Sequence, residues 1–356
     1  MAHLKNADKH KPKFQSSYVP MDINAMTIEW AEGATVGEKS YVSELDEIFS
    51  WMRTHVNGWY GWANDGKGTF FDFMSVMKSK FDGWKWGMMK QEDMSSFKYT
   101  LDDGKKAIRI TASSIFNNLI WAYTGKTPYG HYAKKHYLEK ISLDEYHEAA
   151  AWVSKHFFII NPQDRTYNNI MDEFKFLYEK YGIDGWLIDP FKSIKLDGNQ
   201  RTDFMMDDLF INTKKFALET NTCFNFIAHP KSMSDVKEKD GRYKVVNQFM
   251  VAGGAAWDNN MDAQFSIYRP ERHLNPSDPK VHFHNLKQRQ AEIVGVSRGS
   301  YEFVRFDNKS KRYFFNGVCP LDGSRPPEKF PDTRGQNTPP NPDLFTTSAN
   351  ADDLPF

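Results

Sequence analysis

Gly58-Trp59-Tyr60-Gly61-Trp62-Ala63-Asn64-Asp65-Gly66-Lys67-Gly68-Thr69-Phe70-Phe71-Asp72 is the stretch whose reading decides the fold. Within it Gly61, Gly66 and Lys67 stand at the spacing G-x-x-x-x-G-K of a phosphate-binding loop. Glycines let the backbone curl until successive N–H groups point at phosphate oxygens, and the lysine adds a point charge at the β and γ positions. The flanks agree with this reading. The apolar run 59–63 reads as a buried strand, and Phe70, Phe71, Phe73, Met74 and Met77 then recur at helical spacing. The residue after Lys67 is Gly68, so the hydroxyl that usually touches magnesium is missing there, and Thr69 follows one place later. On the motif alone, a glycine turn that binds nothing is the competing reading.

Composition bounds the rest. A chain of 356 residues suits one large or two ordinary domains and can bury a substantial core. Its 46 lysines and arginines balance 46 aspartates and glutamates, so any basic surface for nucleic acid must be local. Cys223 and Cys319 are the only cysteines, which argues against a disulfide scaffold or zinc cluster and suits a reducing cytoplasm. No apolar run approaches the ~20 residues of a bilayer span. The start of the chain, with Lys5, Lys9, His10, Lys11 and Lys13, lacks the apolar core of a signal peptide. A soluble, cytoplasmic protein is expected.

Residues 1–36 are polar and irregular, and read either as a disordered leader or as an arm that docks on a neighbouring subunit. Residues 85–92 read as a second strand, ending in Glu92. Ligands of open parallel sheets sit at the carboxyl ends of strands, where a glutamate can orient or deprotonate an attacking water. A solvated strand-end charge is the alternative. Helices are expected at 107–123, at 142–157 with Ser142 and Glu145 as a capping box, at 167–181, and at 203–221 with an apolar stripe at Met205, Leu209, Phe216 and Thr220. Strands are expected at 157–160, 185–189, 223–228, 264–268, 281–286 and 301–306. The strand 185–189 ends in Asp189, the Walker B pattern, whose carboxylate can hold magnesium directly or through water. The strand 223–228 leads to His229, which either hydrogen-bonds a γ-phosphate or is satisfied by backbone. A long polar loop follows, carrying Lys231, Lys237, Lys239, Arg242 and Lys244. Beyond Pro320 the composition is that of a disordered tail, closing on Asp352-Asp353-Leu354-Pro355-Phe356.

In their joint order these pieces resemble the RecA-like motor domain of ring-shaped replicative helicases of the DnaB type. Ala228-His229-Pro230-Lys231 and Lys287-x-Arg289 are similar to the phage replicative and Twinkle branch. The resemblance covers roughly 37–315. It implies an α/β fold: a RecA-like P-loop NTPase core with a mainly parallel central sheet, flanking helices and an antiparallel C-terminal extension. The implied division is a flexible arm (1–36), an ATPase domain (37–318) and a tail with an acidic-aromatic tip (319–356). With no primase or zinc domain ahead of the motor, a stand-alone helicase is expected.

The resemblance also implies roles. Lys67 would bind the β- and γ-phosphates, in a loop opened by Gly61, with the amides of Asn64, Asp65, Gly66, Lys67, Gly68 and Thr69 as cradle. Glu92 would be the catalytic base, Asp189 the magnesium carboxylate with Thr69 beside it, and His229 the γ-phosphate sensor. Arg289, with Lys287, would be a finger inserted into the next subunit's site. ATP and Mg2+ are the implied cofactors. The implied partners are single-stranded DNA, further copies in a ring of six, and a replicative polymerase, primase or other replisome protein reached through the tip, in a bacterial or phage-infected cell. Lys231, Lys237, Lys239, Arg242 and Lys244, and the segment 192–201, are candidate strand contacts, made mainly to phosphate. Gly68 departs from the helicase pattern, although a GKGT loop is similar to that of adenylate kinases, which bind nucleotide. A RecA-type recombinase, a KaiC-like regulatory ATPase and a non-hydrolysing interaction platform remain open alternatives.

Overall fold

The computed structural model describes residues 19–33, 37–102, 104–196, 201–231 and 236–326. The chain divides into two units, Met1–Val36 and Gly37–Phe356. In the first, part of the stretch expected to be irregular is a helix, α1 (Ile23–Glu32). Asp22 caps it by accepting from the N–H groups of Asn24 and Ala25, and none of its residues is buried.

The second unit runs β1 (Val56–Tyr60), α2 (Lys67–Asp82), β2 (Trp86–Lys90), β3 (Ser95–Thr100), β4 (Lys106–Thr111), α3 (Ser113–Thr124), α4 (Gly130–His136), α5 (Leu143–His156) and β5 (Phe157–Ile160). It continues with α6 (Tyr167–Tyr181), β6 (Gly185–Asp189), α7 (Thr202–Thr220), β7 (Cys223–Ile227), α8 (Gly254–Asn260), β8 (Ala263–Tyr268), β9 (Lys280–Gln288), α9 (Ala291–Val294), β10 (Gly299–Asp307) and β11 (Arg312–Phe315). Nine strands form one sheet in the order β11-β10-β9-β8-β1-β7-β6-β2-β5. The block from β8 to β5 is parallel, and β8, β9, β10 and β11 pair antiparallel. This is the α/β architecture expected, with its antiparallel extension.

Strands buried on both faces read as continuous apolar runs because alternate side chains enter different cores. Trp59, Leu187, Cys223 and Ile227 join α2, α3 and α5 on one face. Tyr60, Trp186, Ile188, Phe224 and Phe226 join α6, α7 and α8 on the other. The helices end where their sequences say: Ser142 and Glu145 form the capping box of α5, and Gly182 closes α6 in the left-handed conformation.

Two expectations are corrected. The helix expected over 107–123 begins only at Ser113, because 106–111 is strand β4, paired antiparallel with β3. Ile108 and Ile110, which fit a helical stripe, are β-branched residues on this exposed hairpin. The α7 stripe is Met206, Leu209, Phe210, Thr213, Phe216 and Ala217, with Met205 off the buried face. The tail from residue 327, including Asp352, Asp353 and Phe356, lies outside the described residues.

Candidate functional site

The four adjacent parallel strands β1, β7, β6 and β2 bring their carboxyl ends to one edge of the sheet. After Tyr60 the chain turns through the glycine loop and enters α2 at Lys67. Gly61 has φ 153° and lies so near β8 that a Cβ there would stand 2.5 Å from the Ile267 carbonyl oxygen. Gly66 is left-handed (φ 85°) and forms the N-cap of α2. The loop is braced on both sides. Buried Asp65 accepts from the Trp62 N–H at 3.2 Å and pairs with Arg272 Nε at 3.1 Å, while Arg272 also donates to the Ala63 carbonyl. On the other side Trp62 Nε1 donates to the Lys244 carbonyl at 2.8 Å and its ring packs on Tyr243. Gly61 and Asp65 therefore shape the loop.

A cleft of about 230 Å³ opens above it, lined by Asn64, Gly66, Lys67, Gly68 and Thr69 together with Glu92, Asp189 and His229. Lys67 is buried, and its Nζ donates to the Trp62 carbonyl at 2.9 Å. Burial lowers its pKa to about 8 against the pull of Asp189 and Asp65, so it is still charged at neutral pH. Asp189, at the end of β6, is pushed up to about 7 by burial, with Lys90 and Lys67 opposing the rise. Glu92 lies in the turn after β2 and pairs with Lys192 at 2.8 Å, with His229 Nε2 3.9 Å away. Burial, aided by the Lys67 charge, lowers His229 to about 4, so its ring is neutral at pH 7.

The cleft also holds Asp72, Lys90, Asp93, Asn118 and Lys311, none of which stood out in the sequence. Lys90 Nζ bonds Asp72 Oδ2 at 2.7 Å and Asp93 Oδ2 at 3.0 Å. Burial alone would lower the Lys90 pKa, but the Asp72 and Asp93 carboxylates hold it well above the ordinary lysine value. The signal available in the sequence was its place two residues before Glu92, at the end of a strand.

Among the described residues no group of three or more His, Cys, Asp or Glu side chains is arranged to hold a metal ion. The carboxylates that line the cleft include Asp72, which is buried and bonded to Lys90, and Asp189, whose Oδ2 would lie 2.8 Å from a Cβ on Gly68. A carboxylate held up near neutrality by incomplete charge compensation fits a magnesium ion that takes its other ligands from phosphate and water.

Other expected residues lie elsewhere. Lys287 and Arg289 are at the far end of β9, where Lys287 donates to the Asp258 carbonyl and Arg289 to the Asn259 carbonyl. Arg289 Nη1 also approaches Asp262 at 3.5 Å, and that aspartate accepts from the Val56 N–H at the start of β1, the sheet edge opposite the cleft. Both cations thus sit on carbonyls at the carboxyl end of α8, a favourable place for positive charge. In the basic loop, Arg242 pairs with Glu271 at 2.6 Å and Asp240 at 3.2 Å, and Lys237 lies over the Tyr243 ring. Lys231 and Lys239 are exposed. Arg201 is paired with Asp203 at 2.7 Å. Residues 197–200 and 232–235 lie outside the described residues.

No protein-family model matches the chain, and no curated protein sequence matches it. Solved structures do. One, described as an ATPase domain, is similar to it with a TM-score of 0.63 at 13% identity, over 82% of this chain and 95% of that one. A DnaB-like replicative helicase, described with its interactions with primase, is similar with a TM-score of 0.61 at 14% identity, over 82% of this chain and 67% of that one. Likeness at this identity speaks for the fold alone, a RecA-like α/β fold with a mainly parallel sheet shared with these two structures.

Proposed function

We propose that the protein is an ATP-dependent replicative DNA helicase, a ring of identical subunits that hydrolyses ATP at its interfaces while moving along single-stranded DNA. One observation carries the reading. Lys67, Glu92, Asp189 and His229, drawn from four separate segments of the chain, converge on one cleft at the carboxyl ends of adjacent parallel strands. To engage nucleotide, Lys67 Nζ leaves the Trp62 carbonyl and turns to the β- and γ-phosphate oxygens, while the first amides of α2 cradle the same oxygens. Glu92 accepts the proton of the attacking water, held in place by Lys192. Neutral His229 hydrogen-bonds the γ-phosphate and registers its loss. Asp189 would hold a magnesium ion, which when bound supplies positive charge to the phosphate oxygens. Arg289 serves the site of the next subunit. DNA is contacted through phosphate by Lys231, Lys237 and Lys239.

The test is an ATPase assay with and without single-stranded DNA, combined with particle size in ATP. DNA-stimulated turnover by a closed ring is expected. A filament would point to a recombinase, and absence of turnover would remove the enzymatic reading. Primase or polymerase is proposed to dock on the Asp352-Asp353-Leu354-Pro355-Phe356 tip, where the ring fills a pocket and the carboxylates meet basic residues. Deleting residues 352–356 should lower synthesis coupled to the cognate polymerase and spare the ATPase. Undiminished synthesis would leave the tip without a docking role.

A further inference from the structure

Strands β3 and β4 form a two-stranded ribbon that the proposed mechanism leaves unused. It stands between the turn carrying Glu92 and helix α3, whose Asn118 lines the cleft. Its base is closed locally: Ser95 Oγ meets Thr111 Oγ1 at 3.0 Å and accepts from the Ser114 N–H at 3.4 Å. Beyond that base every residue of the two strands is exposed except Ala107. An isolated two-stranded hairpin is marginal in water, so a ribbon solvated on both faces gains from a ligand. Phe97 and Tyr99 lie two apart on β3, 56% and 39% exposed, with ring centroids 6.4 Å apart and planes 10° from parallel. Arg109 stands across the ribbon from Phe97 and shares its face, while Lys98, opposite Ile108, and Lys106 take the other. Lys98, Lys106 and Arg109 form no ion pair among the described residues.

The charge of the ribbon says what suits it. Residues 95–111 carry four lysines and arginines against two aspartates. Drying either face against an apolar protein surface would bury an unpaired cation, which costs free energy. Single-stranded DNA meets both demands at once, since each base offers a flat face for a ring and each link an anionic phosphate for a cation. The ribbon leaves the sheet at the carboxyl end of β2, and the basic loop leaves the same edge at the end of β7, with β6 between them. We propose that the β3–β4 ribbon is a single-stranded-DNA site, in which bases stack on Phe97 and Tyr99 and Arg109 meets the phosphates. This deepens the reading of single-stranded DNA as partner and rests on it.

The test is binding of a fluorescent oligothymidylate to the full chain, with magnesium and a non-hydrolysable ATP analogue, followed by anisotropy across a salt series. Phe97→Ala with Tyr99→Ala should weaken binding by about tenfold or more. The slope of log affinity against log salt should stay as in wild type, because the rings carry no charge. Phe97→Trp with Tyr99→Trp keeps the stacking faces and should bind as wild type does. Arg109→Gln should instead lower the salt slope by about 0.7, the value for one phosphate contact on a single strand. Ile108→Ala with Ile110→Ala, on the opposite face, should leave binding unchanged. All five positions are exposed, so none of these substitutions opens a core. The proposal is overturned if the double alanine variant of the rings binds as wild type does, or if the opposite-face variant loses as much affinity. An unchanged salt slope in Arg109→Gln would overturn the phosphate contact. Absence of wild-type binding even at low salt would overturn the single-stranded-DNA reading itself, an outcome distinct from failure of the ribbon alone.

Discussion

Asp189 carries the tension of the cleft in a single carboxylate. Its folded-state pKa is raised to about 7 from an ordinary 3.8. As pH rises above the lower value the unfolded chain gives up its proton first. The stabilising contribution of the group is therefore full below about pH 4 and lost as pH rises through 7. By pH 8 the ionised group opposes folding. Asp189→Asn should accordingly raise the melting temperature at pH 8, with the gain vanishing near pH 4. An asparagine variant no more stable than wild type at pH 8 would show that the charge is already compensated. In the proposed mechanism Lys67 and Glu92 act on the same phosphate in different ways, one binding it and one activating the water. Lys67→Ala should thus weaken nucleotide binding, and Glu92→Gln should bind normally but not turn over. Near-normal hydrolysis by Glu92→Gln would remove it as the base. Lys67, Asp189 and His229 were legible because a motif, or an apolar run with a polar end, marks a strand terminus. Lys90 and Asp72 were not, because their meeting depends on which strands are neighbours: β2 lies beside β6, with β7 and β6 between it and β1, and no local pattern states that order.

Among the elements, α1 presents Ile23, Met26 and Trp30 on one face, 63%, 49% and 85% exposed. A helix of ten residues is marginal alone in water, so its apolar stripe calls for a partner. We propose a neighbouring subunit as that partner, one of the two readings its sequence allows. Removing residues 1–36 should lower the mass of the assembly formed in ATP, measured by light scattering. An assembly of unchanged mass would assign the stripe elsewhere. The sequence marked neither this helix nor β3–β4, and for related reasons. α1 buries nothing within its own unit, so no core-facing period builds up beyond three residues. On the hairpin, Phe97 and Tyr99 share one face with Arg109, and Ile108 and Ile110 share the other with Lys98, so neither face separates apolar from polar. Elements closed by local chemistry were read to the residue, as in α6, which ends on Gly182, and β6, which ends on Asp189.

At the scale of the whole molecule the placing of Arg289 matters most. It sits at the edge of the sheet opposite the cleft, held by the Asn259 carbonyl and Asp262, so within one subunit it has no path to the phosphates. In the proposed head-to-tail ring, the edge carrying Arg289 would face the next subunit's cleft, and each interface would then complete one site. Half-exposed and bonded mainly to a helix-end carbonyl, the guanidinium gives up a modest interaction when it moves to a triphosphate. A finger of this kind contributes about 10³–10⁵ in rate, or roughly 4–7 kcal/mol of barrier. Arg289→Ala should therefore be nearly inactive by itself while retaining an intact Lys67 cleft. Lys67→Ala should be inactive for the opposite reason, since it keeps the finger and loses the cleft. Mixed rings would contain interfaces in which the Arg289→Ala subunit offers its cleft to the finger of a Lys67→Ala neighbour, and activity should return in proportion to those interfaces. The measurement is ATPase rate against mixing ratio, with subunit exchange verified by mass. A linear sum of two inactive proteins at every ratio, in rings shown to be mixed, would leave Arg289 as a helix-end cation and nothing more.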